Sequence, residues 1–167
     1  MSVIAIDTNI FIHLVNFEND NRDSHIDQLL MHLAKKKYLL GIDSTSKIVD
    51  EYTEKIMAMI RNMHDTHLQL PILRYWMQPE LRKEISIDPN GLLMSRIRRV
   101  IHEVDEHADR AFVYVACAGD CLLVTNDNVH ILSRRSELRS ETRKLRGKIT
   151  DFISSRTAVA TLCNTGS

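Results

Sequence analysis

A chain of 167 residues with 44% hydrophobic and 26% charged side chains can bury one core unaided and lies outside the composition of disordered chains. Lysine plus arginine (22) balances aspartate plus glutamate (22), which excludes a molecule-wide basic field and makes any claim on nucleic acid rest on local sites. The three cysteines form no paired framework, the opening MSVIAID is no export leader, and no apolar run nears the ~18 residues of a membrane span, so a single cytoplasmic domain over residues 1–167 is expected, with no membrane role.

Val3 to Ile6 is a short apolar run that meets Asp7-Thr8-Asn9 abruptly, as a buried strand does at a sheet edge. Ile10, Phe11 and Leu14 begin a helical face, 16–23 is a polar loop, and Ile26, Leu29, Leu30 and Leu33 recur at helical spacing behind Ser24. Tyr38 to Ile42 reads as a second strand. The polar run Asp43 to Ser46 then precedes a helix that turns Ile48, Val49, Tyr52 and Ile56 inward. Residues 57–104 read as a mostly helical insertion, broken near Pro71, Pro79 and the Asp88-Pro89-Asn90-Gly91 turn.

A helical stripe runs from Ile97 through Ile101, Val104, Ala108, Phe112 and Val115, with small residues that allow close packing on a sheet, and Gly119-Asp120 ends it. Leu122 to Thr125 is the third strand, running into Asn126-Asp127-Asn128. A basic helix is expected over much of 133–155, and Ala158 to Leu162 as a last strand. Helices alternating with short apolar strands predict an α/β fold with a central parallel sheet.

In such a sheet ligands bind beyond the carboxyl ends of the strands, where strand order reverses. Asp7 follows the first strand and Asp127 the third, so neighbouring strands would bring both carboxylates to one edge. Glu51 and Asp109 lie on helices whose apolar flanks would orient them. Taken singly, each is more often an ordinary strand-end or surface acid. Four together repel, and a hard divalent cation with oxygen ligands offsets that repulsion, which points to Mg²⁺ or Mn²⁺ and to phosphodiester hydrolysis.

Ile4-Ala5-Ile6-Asp7-Thr8-Asn9-Ile10 resembles the opening of the PIN-domain nucleases. Ile48-Val49-Asp50-Glu51-Tyr52 resembles that family's second motif, Ala108-Asp109-Arg110-Ala111 its third, and Leu123-Val124-Thr125-Asn126-Asp127 its fourth. All four stand in the family's order, over residues 3–53 and 105–132, and periodicity favours Glu51 over Asp50 as the second acid. The resemblance implies a three-layer α/β/α fold and a metal-dependent endonuclease acting on RNA, with single-stranded DNA the lesser alternative. It also implies that Asp7, Glu51, Asp109 and Asp127 hold Mg²⁺ or Mn²⁺ and position the attacking water, with Asn9 and Thr125 supporting them. Asp105, one turn before Asp109, would be an auxiliary acid or simply a solvated helix position. As partners it implies an antitoxin or antiviral-defence protein and a second copy of the chain.

Arg134, Arg135, Arg139, Arg143, Lys144, Arg146 and Lys148 give seven basic groups against Glu137 and Glu141, a local net of plus five over 133–148. Such a run suits a phosphate track, and equally a solvated helix face. The eight histidines lack the compact Cys/His spacing of zinc sites and read as surface or packing residues, His64 and His67 included; Tyr75-Trp76 reads as core or interface. Two other functions compete with the nuclease. One is a non-catalytic RNA-binding or scaffold module of the same fold, and the other a phosphohydrolase using Asp7 as a covalent nucleophile, which usually carries a second aspartate where Asn9 stands.

Overall fold

The computed structural model describes residues 1–15, 24–61, 78–103, 107–146 and 150–163. The polar stretch 16–23, His64, His67, Pro71, Tyr75, Trp76, Val104, Asp105 and Lys148 lie outside them.

Strand β1 (Val3–Ile6) has Ile4, Ala5 and Ile6 in sequence all fully buried. Successive side chains point to opposite faces, so the sheet is covered on both sides. Helices α1 (Thr8–Val15) and α2 (Ser24–Lys35) lead to β2 (Leu39–Asp43), and α3 (Lys47–Arg61) follows. A single 3-10 turn at Pro79–Leu81 opens β3 (Arg82–Ile85), then α4 (Leu92–Val100) and α5 (His107–Ala118) lead to β4 (Leu122–Val124). Last come α6 (Arg135–Arg146), β5 (Phe152–Ile153), α7 (Ser155–Ala158) and a π-helical turn at Val159–Cys163. The result is an α/β fold with seven α-helices among the described residues around one all-parallel sheet, in the order β3-β2-β1-β4-β5.

Strand order reverses between β1 and β4, which pair in register Ile4 to Leu122, Ala5 to Leu123 and Ile6 to Val124. Helix α5 packs across β2, β1 and β4 at the centre of the sheet. Gly41 permits that approach, because a Cβ there would stand 2.9 Å from Val115 Cγ1. Two helices that feed central strands end alike. The N–H of Tyr38 donates to Leu33 O and that of Lys37 to Ala34 O, and after α5 the N–H of Cys121 donates to Ala116 O and that of Asp120 to Cys117 O. This is the Schellman closure, and its left-handed position is held by Lys37 (φ 56°) and Asp120 (φ 52°) where glycine is usual.

Four expectations need correction. Within the segment 57–104, expected to be mostly helical and broken near Pro79, the break at Pro79 leads into a strand, β3; among the described residues this edge strand pairs with β2, and its sequence Arg-Lys-Glu-Ile carries no apolar run. The stripe from Ile97 to Val115 is broken, since α4 ends at Val100 and Ile101 turns the chain. Buried Arg110 holds that corner by donating to the carbonyls of Ile101, at 2.8 Å, and Glu103. The basic helix is described over Arg135–Arg146, and β5 occupies part of the stretch to residue 155 that it is expected to cover. Ala158 to Leu162 is helical, with Val159, Leu162 and Cys163 meeting the core at positions i, i+3 and i+4 and the Ser154 side chain capping the start. No helix among the described residues is long and apolar enough to cross a membrane.

Candidate active site

At the reversal point the chain leaves β1 through Asp7, which is 3% exposed. Its N–H donates to Val124 O at 2.9 Å, continuing the β1–β4 pairing. Its carboxylate is held from two sides. The Thr125 hydroxyl donates to Oδ2 at 2.5 Å, Asn9 Nδ2 to the same oxygen at 2.8 Å, and the Asn9 N–H to Oδ1 at 3.2 Å. Burial pushes the Asp7 pKa from its ordinary 3.8 up to about 6; the hydrogen bonds from Thr125 and Asn9 oppose the rise, and the charges of Glu51 and Asp127 add to it.

Thr125 also accepts from the Asp127 N–H at 2.9 Å, so one hydroxyl ties the acids of both strand ends together. Asp127 Oδ1 accepts from the N–H groups of Val129, at 2.7 Å, and His130, at 3.0 Å, folding residues 127–130 into a tight turn. Asn9 Oδ1 accepts from the Asn126 N–H, and Asn126 Oδ1 in turn accepts from the N–H and hydroxyl of Ser155, each at 3.0 Å. The loop after β4 is thereby fixed to the start of α1 on one side and α7 on the other.

Glu51 reaches the same place because Tyr52, its neighbour on α3, is buried. The Tyr52 ring meets Phe11 of α1 edge-on at 5.4 Å and Phe112 of α5 at 5.8 Å, and its hydroxyl donates to Ile6 O, the residue before Asp7. Lys55, one turn on, lies 3.2 Å from Glu51 Oε1, while Glu51 Oε2 is buried without a hydrogen-bond partner among the described residues. Partial burial acts to lower the Lys55 pKa, but the carboxylates of Glu51, Asp109 and Asp7 hold it above its usual value. Asp109, in the first turn of α5, has Oδ2 3.1 Å from His130 Nδ1, and Asp127 Oδ2 lies 3.3 Å from the same nitrogen. Asp7, Glu51, Asp109 and Asp127 line one open cavity of about 490 Å³. One ligand atom each from Asp109, Asp127 and His130 lie within 4.8 Å of one another, a group that can hold a metal ion.

No family model matches the chain, and no curated protein matches it. Among solved structures it is similar to the crystal structure of VapBC2 from Rickettsia felis bound to a DNA fragment from their promoter, with 13% identity over 91% of this chain and 98% of that one, at a TM-score of 0.42. Nothing of that protein's function transfers at this level of likeness.

The expected basic track is only partly open. Arg134 is bound to Glu103 and to Val100 O, and the Arg134 guanidinium holds the Glu103 pKa down at about 2. Arg135 and Arg139 flank Asp151 at 3.2 and 3.3 Å, and Lys144 pairs with Glu141. Arg139, Arg143 and Lys144, with Ser136 and Ser140, line a separate open groove of about 550 Å³ along α6. Among the described residues, sequence reasoning passed over His130 and Lys55. Each had a signal, in the three-residue step from Asp127 and the four-residue helical step from Glu51. A third strand-end aspartate, Asp43, stands apart. It is 2% exposed and accepts from the N–H groups of Ile48, at 2.8 Å, and of Thr45 and Lys47, at 3.1 Å, so it caps α3.

Proposed function

We propose that this chain is a divalent-metal-dependent nuclease of the PIN kind, hydrolysing phosphodiester bonds of RNA in preference to DNA. The observation that carries it is the convergence of four carboxylates, from β1, α3, α5 and the turn after β4, on one open cavity where strand order reverses. The residues fit a cation: Glu51 Oε2 is buried without a partner among the described residues, Asp7 is desolvated beside Glu51 and Asp127, and the donor set is mostly oxygen. Asp7, Glu51, Asp109 and Asp127 would hold Mg²⁺ or Mn²⁺, which when bound supplies screening of the carboxylates and stabilisation of the charge on the leaving phosphate oxygen.

The chain's own residues supply orientation. Thr125 and Asn9 fix the Asp7 carboxylate, Thr125 transmits that position to Asp127, and Tyr52 sets the height of Glu51 against β1. The groove of α6 provides cations for a nucleic-acid backbone without reading its bases. The test is a titration of Mg²⁺ and Mn²⁺ against cleavage of single-stranded RNA and DNA, with Asp7→Asn and Asp127→Asn beside the wild type. Metal-dependent cleavage lost in both folded variants is expected; intact substrate with the wild type at every metal concentration would sink the proposal.

One observation favours a second reading, a non-catalytic RNA-binding or scaffold module. Lys55 already gives Glu51 a positive partner, and His130 lies within hydrogen-bond reach of Asp109 and Asp127, so the acids are partly compensated internally. Tight RNA binding unaffected by chelator or by Asp7→Asn, without cleavage, would decide for it.

A further inference from the structure

Building on the metal-dependent reading above, we infer that His130 is itself a metal ligand, and that its imidazole biases the site toward Mn²⁺ and similar transition ions over Mg²⁺. The acids alone would not distinguish these ions sharply, because carboxylate oxygens suit both. An imidazole nitrogen does, since affinity at nitrogen donors rises along the first-row divalent series while Mg²⁺ keeps to oxygen.

His130 Nδ1 stands 3.1 Å from Asp109 Oδ2 and 3.3 Å from Asp127 Oδ2. Adjacent ligands on an octahedral ion with bonds near 2.1 Å are roughly 3 Å apart, so these spacings match neighbouring corners of one coordination sphere. The arrangement is built from two sides of the fold. Asp127 Oδ1 is committed to the turn amides of Val129 and His130, which leaves Oδ2 on the side of the imidazole and sets that ring relative to its own backbone. Asp109 arrives independently on α5. Glu51 Oε2, buried in the same cavity, is a further oxygen donor without a hydrogen-bond partner among the described residues.

The test uses the full chain and reads metal binding rather than turnover. Calorimetry with Mn²⁺ and with Mg²⁺ is compared for wild type, His130→Ala and His130→Asn, the last placing an amide oxygen near the position of Nδ1. Circular dichroism checks that each variant is folded. Pulsed electron paramagnetic resonance of the Mn²⁺-loaded protein reports whether a ¹⁴N nucleus is bound directly. We expect tighter Mn²⁺ than Mg²⁺ binding in the wild type and a directly bound nitrogen signal. His130→Ala should weaken Mn²⁺ at least about 10-fold, in the range typical for altered metal shells, and Mg²⁺ far less, while His130→Asn should narrow the preference and abolish the nitrogen signal.

The inference falls if the wild type binds both ions without a nitrogen signal, or if His130→Ala changes both affinities by the same factor. It falls also if both affinities rise, because the imidazole is then an internal counter-charge that a metal must displace. Those outcomes leave the metal-dependent nuclease standing, whereas a wild type that binds neither ion overturns both.

Discussion

Asp7 and Asp43 occupy equivalent places, each the polar residue at the carboxyl end of a buried strand, and they do opposite work. Asp43 spends its oxygens on backbone amides at the start of α3, so Asp43→Ala should cost about 2 kcal/mol by leaving those amides unsatisfied, seen as a lower urea midpoint. Asp7 is held by Thr125 and Asn9 yet desolvated among other acids, and its carboxyl rises to about 6. The folded value lies above the unfolded one, so its contribution to stability is complete below pH 3.8 and is lost as the pH climbs through about 6. In chelator at pH 7.5, Asp7→Asn should therefore be more stable than wild type by up to about 3 kcal/mol, and the advantage should vanish toward pH 4 in paired thermal melts. Added Mn²⁺ should restore the order by binding the wild type. Thr125→Val cuts the tie between Asp7 and Asp127, so cleavage should fall at least about 10-fold while Thr125→Ser retains most of it.

At the level of elements, the closures after α2 and α5 place Lys37 and Asp120 in the left-handed region. Lys37 is exposed, and Lys37→Gly should raise stability by about 1 kcal/mol, read as a higher denaturant midpoint with unchanged slope. The elements that were legible in sequence were those with a one-sided or two-sided apolar record. Strand β1 has its predicted limits, α2 buries the stripe its spacing announced, and α3 buries Ile48, Tyr52 and Ile56 while Val49, also expected inward, stays outside the core. Strand β3 was hidden because an edge strand needs only backbone pairing, and Lys83 and Glu84 are exposed. Strand β5 was hidden by its length of two residues. The break at Ile101 was hidden because Ile97 and Ile101 are both buried and keep the helical rhythm across a corner that Arg110 holds from nine residues away. Of the candidate site, the four acids could be named from strand ends and helix faces. His130 had only its three-residue step from Asp127 to set it above seven other histidines, and its second acidic neighbour, Asp109, is brought from another element.

The whole molecule is electrically neutral, so attraction for a polyanion must come from how charge is distributed. Of the five described basic side chains of the run, Arg134, Arg135, Arg139 and Lys144 have acidic partners, Arg134 most firmly through Glu103 and Val100 O, and the contributions of the run to stability and to binding should separate. Arg134→Ala should lower stability and leave the salt dependence of RNA binding unchanged. Arg143→Ala with Lys144→Ala, which line the open groove, should weaken binding and reduce the slope of log affinity against log salt by about 1 to 2. Fluorescence anisotropy across a salt series measures both.

The order β3-β2-β1-β4-β5 carries one more consequence. A cut between Arg61 and Gln78 would leave β1 and β2, with Asp7 and Glu51, on one peptide and β3, β4 and β5, with Asp109 and Asp127, on the other. The first peptide supplies the middle of the sheet and the second its two flanks, so the second has a gap that only the first can fill. Separately produced halves should each be inert and should regain a complete site only on mixing, which makes this chain suited to use as a split reporter of proximity.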